Sequence, residues 1–404
     1  MHLTKEERYI RRRLRQARKQ AREFYYCRKF PINPKKIVFT TIEGTTGFSC
    51  NPKYIALELL RRRQDLDLVW LVDDMGKEFP PGIRKVKNTL KNRAYELSTA
   101  AVWVDNSRKQ LECRKRSRQF YLQTWHASLH IKPTGLDRGA SFSKIANLIS
   151  RHDSNMVDIL ITNSPWMEEH APKSIVYEGA TCRTGSPRVD GLLNGRESCR
   201  SKFRAMYGLP EHTRLMLYAP TFRNGSQGTN RSIDKQDNMP DFARLKEALT
   251  IKFPGDWAIV LRLHPQLTAR HIEAGLSENS KFVIDASKED DMSEVLGACD
   301  ILLTDYSAMS FDAAYIHLPV FLYLNDLREY IDERGSLMWN LEELPFVKAK
   351  TDDELFHAIT QFDEIAYKKK ITTFLSELEI MEDGSASMRV ADLIENHLRG
   401  DGQE

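Results

Sequence analysis

The side chains of this 404-residue chain best suited to move a proton or hold an anion fall into five short clusters, most of them directly after a predicted strand. The first is Gln123-Thr-Trp-His-Ala-Ser128. His126 follows a strand and sits beside a tryptophan, and an imidazole with an unperturbed pKa of about 6.5 serves as a general base at neutral pH. A hydrogen-bonded core histidine fits the position equally well. His130 lies four residues on, but the glutamate of an HExxH pattern is missing and a loop is expected here, so no zinc site is read.

Gly185-Ser-Pro-Arg188, with Asp190 behind it, forms a turn whose Arg188 can reach an anionic ligand bidentately or close a surface salt bridge. In Tyr218-Ala-Pro-Thr-Phe-Arg223, a turn at Pro220 and Thr221 exposes backbone N–H groups and a hydroxyl, and Arg223 adds a cation. Arg262-Leu-His-Pro265 places Arg262 and His264 on one side of an extended chain, both able to donate to phosphate, with Pro265 ending the strand. In Thr304-Asp-Tyr-Ser-Ala-Met-Ser-Phe-Asp312 a buried strand runs into Asp305. A helix is expected from about Ser307, capped by Ser307 or Asp305, with Ala308 beside its start and Asp312 one turn further in. A helix N-terminus flanked by small residues suits an anion, and capping alone is the plainer role.

This inventory suits a diphosphate of about two to three negative charges, with one histidine available for proton transfer. It holds no DxD pair of carboxylates, so no cofactor and no metal are expected; charge on a departing nucleotide falls to Arg, His and the helix dipole.

The elements that must position these clusters follow from the hydrophobic pattern. Short apolar runs at 36–41, 66–72, 101–105, 120–124 and 158–162 alternate with helical segments, and the alternation restarts after about residue 190 with runs at 214–219, 257–262, 282–284, 300–304 and 320–323. That is the signature of parallel sheets built from βαβ units. Two Rossmann-like domains facing across a cleft are expected, at 34–190 and 191–370, with ligands beyond the carboxyl ends of the strands. Residues 325–347 read as loop-rich, and helices over 352–380 and 386–399 close the chain, one of them crossing back onto the first domain.

Residues 1–33 form a basic arm. Residues 1–29 carry a net +8 while the whole chain is +4, so the body is net negative. Ile10, Leu14, Ala17, Ala21 and Phe24 recur at helical spacing among Arg, Lys and Gln, which suits a helix lying on an anionic membrane through residues 5–29; packing on the protein's own body is the alternative. No RNA-reading motif accompanies the basic run, so no nucleic acid partner is expected. The six cysteines show no CxxC spacing and no run reaches the roughly 20 apolar residues of a membrane span, so a cytoplasmic protein, peripheral on the inner membrane face, is expected.

The ordered series N-P-K-Y, Q-T-W-H, G-S-P-R-x-D, Y-A-P-T-F-R, R-L-H-P, T-D-Y-S and Y-L-N-D-L-x-x-Y, from about Lys36 to Arg334, resembles the CDP-glycerol glycerophosphotransferases of teichoic acid and capsule synthesis. The resemblance implies a GT-B-like fold, CDP-glycerol as donor, and transfer of glycerol phosphate to the hydroxyl of a polymer or lipid-linked acceptor with release of CMP. It makes His126 the general base and His264 a second catalytic residue. Arg262 then stands with His264 near the donor diphosphate, and Arg188, Pro220, Thr221, Ser307, Ala308 and Asp312 at donor contacts. Ala127 replaces the family's usual Gly, narrowing the approach to His126, and Ala308 replaces a common second Ser. The alternatives on the same sequence are a CDP-ribitol or nucleotide-sugar transferase, and a non-catalytic membrane-associated subunit of a polymer synthase.

Overall fold

The computed structural model describes residues 3–221, 239–263 and 281–400. The chain divides into two compact units: unit 1 comprises Met1–Ser128, Thr134–Asp190 and Met381–Glu404, and unit 2 comprises Leu129–Pro133 and Gly191–Ile380.

Unit 1 is built on seven parallel strands, β1 (Asn33–Thr40), β2 (Asp67–Val72), β3 (Ile83–Lys87), β4 (Ala100–Asp105), β5 (Phe120–Gln123), β6 (Ile159–Thr162) and β7 (Thr181–Arg183), in the order β3-β2-β1-β4-β5-β6-β7. Direction of growth reverses between β1 and β4, and such a switch point opens a crevice at the carboxyl ends of the strands. Thr40, Asp105 and Gln123 stand in register there. Alternation along β1 divides the core in two. Ile37 and Phe39 join Ile55, Leu59, Trp70, Val390 and Ile394 on one face of the sheet, while Val38 joins Phe24, Leu97 and Trp103 on the other.

Helix Cys50–Arg62 and the C-terminal helix Ala386–Arg399 therefore cover one face together. Arg62 binds them at the rim, paired with Glu58 at 2.7 Å and with Asp392 at 2.6 Å. Gly185, at φ +82°, lets the returning chain approach: a Cβ there would sit 2.7 Å from the Met381 carbonyl oxygen. Asp190 holds the start of the last helix, accepting from the amides of Ala386 at 3.1 Å and Ser387 at 2.6 Å.

The basic segment forms helix Lys5–Cys27, opened by a capping box between Thr4 and Glu7. Its apolar stripe faces inward: Ala17, Ala21, Phe24 and Cys27 are buried, the last two in the same core as Val38 and Trp103. The C-terminal half of the stripe that periodicity offers to lipid is thus taken by the protein's own core, beside helix Leu90–Thr99, while Ile10 and Leu14 are half-buried and Arg, Lys and the exposed Tyr9, Tyr25 and Tyr26 are left outward.

Unit 2 repeats the plan with β8 (Arg214–Tyr218), β9 (Trp257–Leu261), β10 (Val283–Asp285), β11 (Ile301–Thr304), β12 (Val320–Tyr323) and β13 (Val347–Ala349), all parallel in the order β10-β9-β8-β11-β12-β13. Here the switch point lies between β8 and β11, and the central strands are buried throughout, which explains their continuous apolar runs. The stretch read as loop-rich contains helix Leu327–Arg334 and leads into β13. The helix expected over 352–380 is two, Asp352–Thr360 and Glu364–Glu377, the second capped by Asp363.

Asp190→Ala removes both acceptors from the start of the final helix. It is expected to lower stability by about 2 kcal/mol, read as a reduced urea midpoint at unchanged slope.

Candidate active site

Unit 1 assembles its polar residues where β1, β4 and β5 end. His126 is exposed, and its Nδ1 lies 2.9 Å from the carbonyl oxygen of Asn106, the residue after β4. A carbonyl can only accept, so Nδ1 carries the proton and the lone pair of the neutral ring is on Nε2, the form a general base requires. The Trp125 ring lies 4.7 Å from the imidazole, tilted by 31°, and the Arg108 guanidinium lies 4.8 Å from the centre of the indole.

This loop is strained and held. Trp125 adopts φ +49°, Cys50 +59°, Ile42 +43° and Glu43 +58°, the left-handed region that L residues avoid. Three of the four have local support. Gln123 Oε1 accepts from the Trp125 amide at 2.9 Å, Asn106 Oδ1 from the Ile42 amide at 2.8 Å, and Ser107 Oγ from the Glu43 amide at 2.9 Å.

Asn51 connects the histidine loop to the Gly-Ser-Pro-Arg turn. Its Nδ2 donates to the carbonyls of Thr124 at 3.3 Å and Trp125 at 3.1 Å, and its Oδ1 accepts from the Arg188 amide at 3.0 Å. Arg188 is buried and donates from Nη1 to the carbonyl oxygen of His126 at 2.6 Å. Ser186 and Ser128 share a hydrogen bond of 2.8 Å beside it. His126 and Arg188 are therefore brought together, with the guanidinium against the histidine's backbone.

Beneath them lies a charged network within the sheet. Asp153 is buried, accepts from the Lys109 amide at 2.8 Å and the Tyr121 hydroxyl at 2.9 Å, and pairs with Arg108 at 3.4 Å. Burial pushes its carboxyl up to about 6, against the opposing pull of Arg108. Lys109 pairs with Asp105 and donates to Thr40 at 2.9 Å.

In unit 2 the end of β8 is clasped to the end of β11. Thr304 donates its hydroxyl to the Ala219 carbonyl at 2.7 Å, and the Asp305 carboxylate accepts from the Thr221 amide at 2.9 Å and the Tyr306 amide at 2.6 Å. Asp305 thus fixes the Pro220-Thr221 turn and does not cap the following helix. That helix spans Met309–Tyr315, two residues later than expected, with Ala308 at its N-cap and no side-chain cap. Ser307 accepts from the Met309 amide at 3.3 Å, and Asp312 is buried in the first turn. Tyr306 stacks on Tyr330, centroids 3.6 Å apart, and donates to Asp326 at 3.2 Å.

Arg262 follows β9, and its Nη1 donates to the carbonyls of Ala286 at 2.9 Å and Glu289 at 2.6 Å, fastening the loop after β10. His264 and Arg223 lie outside the described residues. His130 belongs to unit 2, buried, its carbonyl accepting from the Trp339 indole at 3.0 Å. Among the described residues no group of three or more His, Cys, Asp or Glu is placed to hold a metal ion.

Sequence reasoning passed over Asn106 and Ser107, and quoted Asn51 only as the first residue of N-P-K-Y, with no role. Asp105-Asn-Ser107 is a polar triplet directly after the all-apolar Ala101–Val104, a signal of the same kind as Gln123-Thr124. The role of Asn51 carries no local signal beyond that motif, because its partners lie 73 to 137 residues away.

The profile of the CDP-glycerol:poly(glycerophosphate) glycerophosphotransferase family matches residues 23–396. The chain is 29% identical over 384 residues to the teichoic acid glycerol-phosphate transferase of Staphylococcus aureus, covering 92% of this chain and 95% of that one. It is 27% identical over 383 residues to the teichoic acid poly(glycerol phosphate) polymerase of Bacillus subtilis, whose length it spans by half. The solved structure of the wall teichoic acid polymerase TagF superposes with a TM-score of 0.81 at 25% identity, over 96% of this chain and 95% of that one.

Two outcomes test the geometry. Asn51→Ala breaks three hydrogen bonds around the histidine loop and is expected to cost about 2–3 kcal/mol in denaturant unfolding. Because Asp153 is raised in the folded state, its ionisation lowers stability as pH rises from about 4 through about 6. Asp153→Asn removes that slope, seen by comparing denaturation midpoints of both proteins across the interval.

Proposed function

Because this chain belongs to the CDP-glycerol:poly(glycerophosphate) glycerophosphotransferase family, we infer that it transfers glycerol phosphate from CDP-glycerol to a hydroxyl of a teichoic-acid-like acceptor and releases CMP. The observation that carries this reading is the His126 imidazole, held by the Asn106 carbonyl in the tautomer with its lone pair on Nε2.

The acceptor hydroxyl gives its proton to Nε2 as its oxygen attacks the β-phosphorus of the donor. The bond from that phosphorus to the bridging oxygen breaks, and CMP leaves with the electron pair. General-base help of this kind contributes a factor of about 10² to 10⁴ in rate. Arg188 stands behind His126 and fixes its backbone, so its part is to position the base. On the donor side, the Pro220-Thr221 turn and Ser307-Ala308 present backbone and hydroxyl donors at the β8/β11 switch point, where Asp305 keeps them in place. On this reading Arg262 and His264 serve the donor diphosphate, and Asp312, in the first turn of helix Met309–Tyr315, is assigned to the donor as well. The reaction as written runs without a metal.

The exposed face of helix Lys5–Cys27 supports attachment to the inner face of an anionic membrane. Its outward Arg and Lys each add about 1 kcal/mol near such a surface, and Tyr9, Tyr25 and Tyr26 suit the headgroup region. The polymer or lipid-linked acceptor is then met at that surface.

His126→Ala is expected to cut CMP release from CDP-glycerol by at least a hundredfold with an unchanged far-ultraviolet spectrum; wild-type turnover would remove His126 from the mechanism. Offered CDP-glycerol, CDP-ribitol and UDP-sugars separately with a short synthetic acceptor, the protein is expected to release nucleotide from the first alone, the product gaining glycerol phosphate by mass. Preferential release from CDP-ribitol would reassign the donor.

A further inference from the structure

A second cluster of cations lies in unit 2, at the opposite ends of the strands from Thr221 and Asp305. A cavity of about 530 Å³ opens at the amino-terminal ends of β8, β9 and β11, lined among others by Arg196, Arg200, Arg204, Arg214, Trp257 and His317. β8 has five residues, so at about 3.3 Å per residue the cavity lies roughly 16 Å from the turn at Thr221.

Arg196, Arg200 and Arg204 recur every fourth residue on helix Pro187–Tyr207, forming one column on its surface. Each is anchored by a single Nη2: Arg196 to the Cys299 carbonyl at 2.8 Å, Arg204 to the Thr213 carbonyl at 3.0 Å, and Arg200 to Asp300. Of the carboxylates lining the cavity, Asp300 pairs with Arg200 and Glu364 with Lys368, which sets Arg196, Arg204 and Arg214 against Glu211 alone. Burial and the neighbouring Arg200 both pull Arg196 below the usual arginine range. Guanidinia crowded beside few matching anions, each anchored through one Nη2 only, are suited to phosphate oxygens brought from outside.

Spacing selects the form of that phosphate. Successive arginines of the column are about 6 Å apart along the helix axis. In a 1,3-linked glycerol phosphate chain six bonds separate neighbouring phosphorus atoms, a reach of about 7 Å when extended, the same as six backbone bonds of a polypeptide. We propose that this cavity is an exosite that holds consecutive phosphodiester groups of a glycerol phosphate chain. The inference rests on the transfer reaction proposed above and adds a place on unit 2 for the polymer away from the reacting end.

The test compares wild type with Arg196→Gln/Arg204→Gln, which leaves the Arg200–Asp300 pair intact, and with Arg196→Lys/Arg204→Lys. Binding of inorganic phosphate and of synthetic glycerol phosphate oligomers of increasing length is measured by calorimetry without donor, and CMP release is measured with a short acceptor. Wild-type affinity is expected to rise with oligomer length and fall steeply with salt. The Gln variant is expected to lose about tenfold in affinity for long oligomers, a difference of two weakened charge-assisted contacts, the Lys variant to keep most of it, and short-acceptor CMP release to stay unchanged in both. An equal length dependence in wild type and Gln variant overturns the exosite. So does tight phosphate binding with no gain for oligomers, or equal loss in the Gln and Lys variants with lowered melting temperature. Loss of binding to phosphatidylglycerol vesicles in the Gln variant, with oligomer binding intact, assigns the cavity to lipid and overturns the polymer reading. Absence of CMP release in wild type sinks the transfer reaction while leaving the donor-free binding result to stand or fall separately.

Discussion

The rest of the site depends on one hydrogen bond, from the imidazole of His126 to the backbone carbonyl of Asn106. A neutral imidazole can present a donor or an acceptor at either nitrogen, and only one arrangement directs a lone pair outward from Nε2. Here the choice is made by strand pairing. β4 and β5 lie side by side, so the carbonyl just past one meets the side chain just past the other. The ring is oriented by a backbone carbonyl, a group that accepts a hydrogen bond without itself titrating.

Holding the histidine this way requires chain paths that the sheet does not supply by itself. Four L residues in the left-handed region, at costs on the order of 1–3 kcal/mol each, surround the ends of β1 and β5. For three of them the offsets come from side chains fixed to neighbouring loops: Gln123 behind Trp125, Asn106 behind Ile42, Ser107 behind Glu43. The second unit holds the turn at its own switch point through a side-chain carboxylate. There one carboxylate, Asp305, accepts from both sides of the β8/β11 crevice, and Tyr306 joins the turn to Asp326 and Tyr330.

The parallel sheets were legible because strands buried on both faces read as unbroken apolar runs between amphipathic helices. β3 was not, since it lies at a sheet edge, half-exposed, with Arg84, Lys85 and Lys87 among its five residues; β7 and β13 are only three residues long. The amphipathic stripe of the N-terminal helix was visible, but periodicity cannot say whether lipid or protein covers it. His126 could be singled out by its place after a strand. The function of Asn51 could not, nor that of Arg188 as a support for that histidine, because both arise from residues distant in sequence converging in space. T-D-Y-S and Y-L-N-D-L-x-x-Y, read as separate strings, are in the structure two sides of one contact between Tyr306 and the pair Asp326 and Tyr330.

The last helix, Ala386–Arg399, supplies Val390, Ala391 and Ile394 to the core laid down by Ile37, Ile55 and Trp70. During synthesis this unit cannot close until Ala386–Arg399 has left the ribosome, whereas all the strands of unit 2 emerge earlier. The middle of the chain can therefore become compact before the unit that begins ahead of it has its full set of walls. A stop codon just short of the final helix would strip the histidine's own unit of one of its walls, although the lost residues lie more than 250 positions away from it.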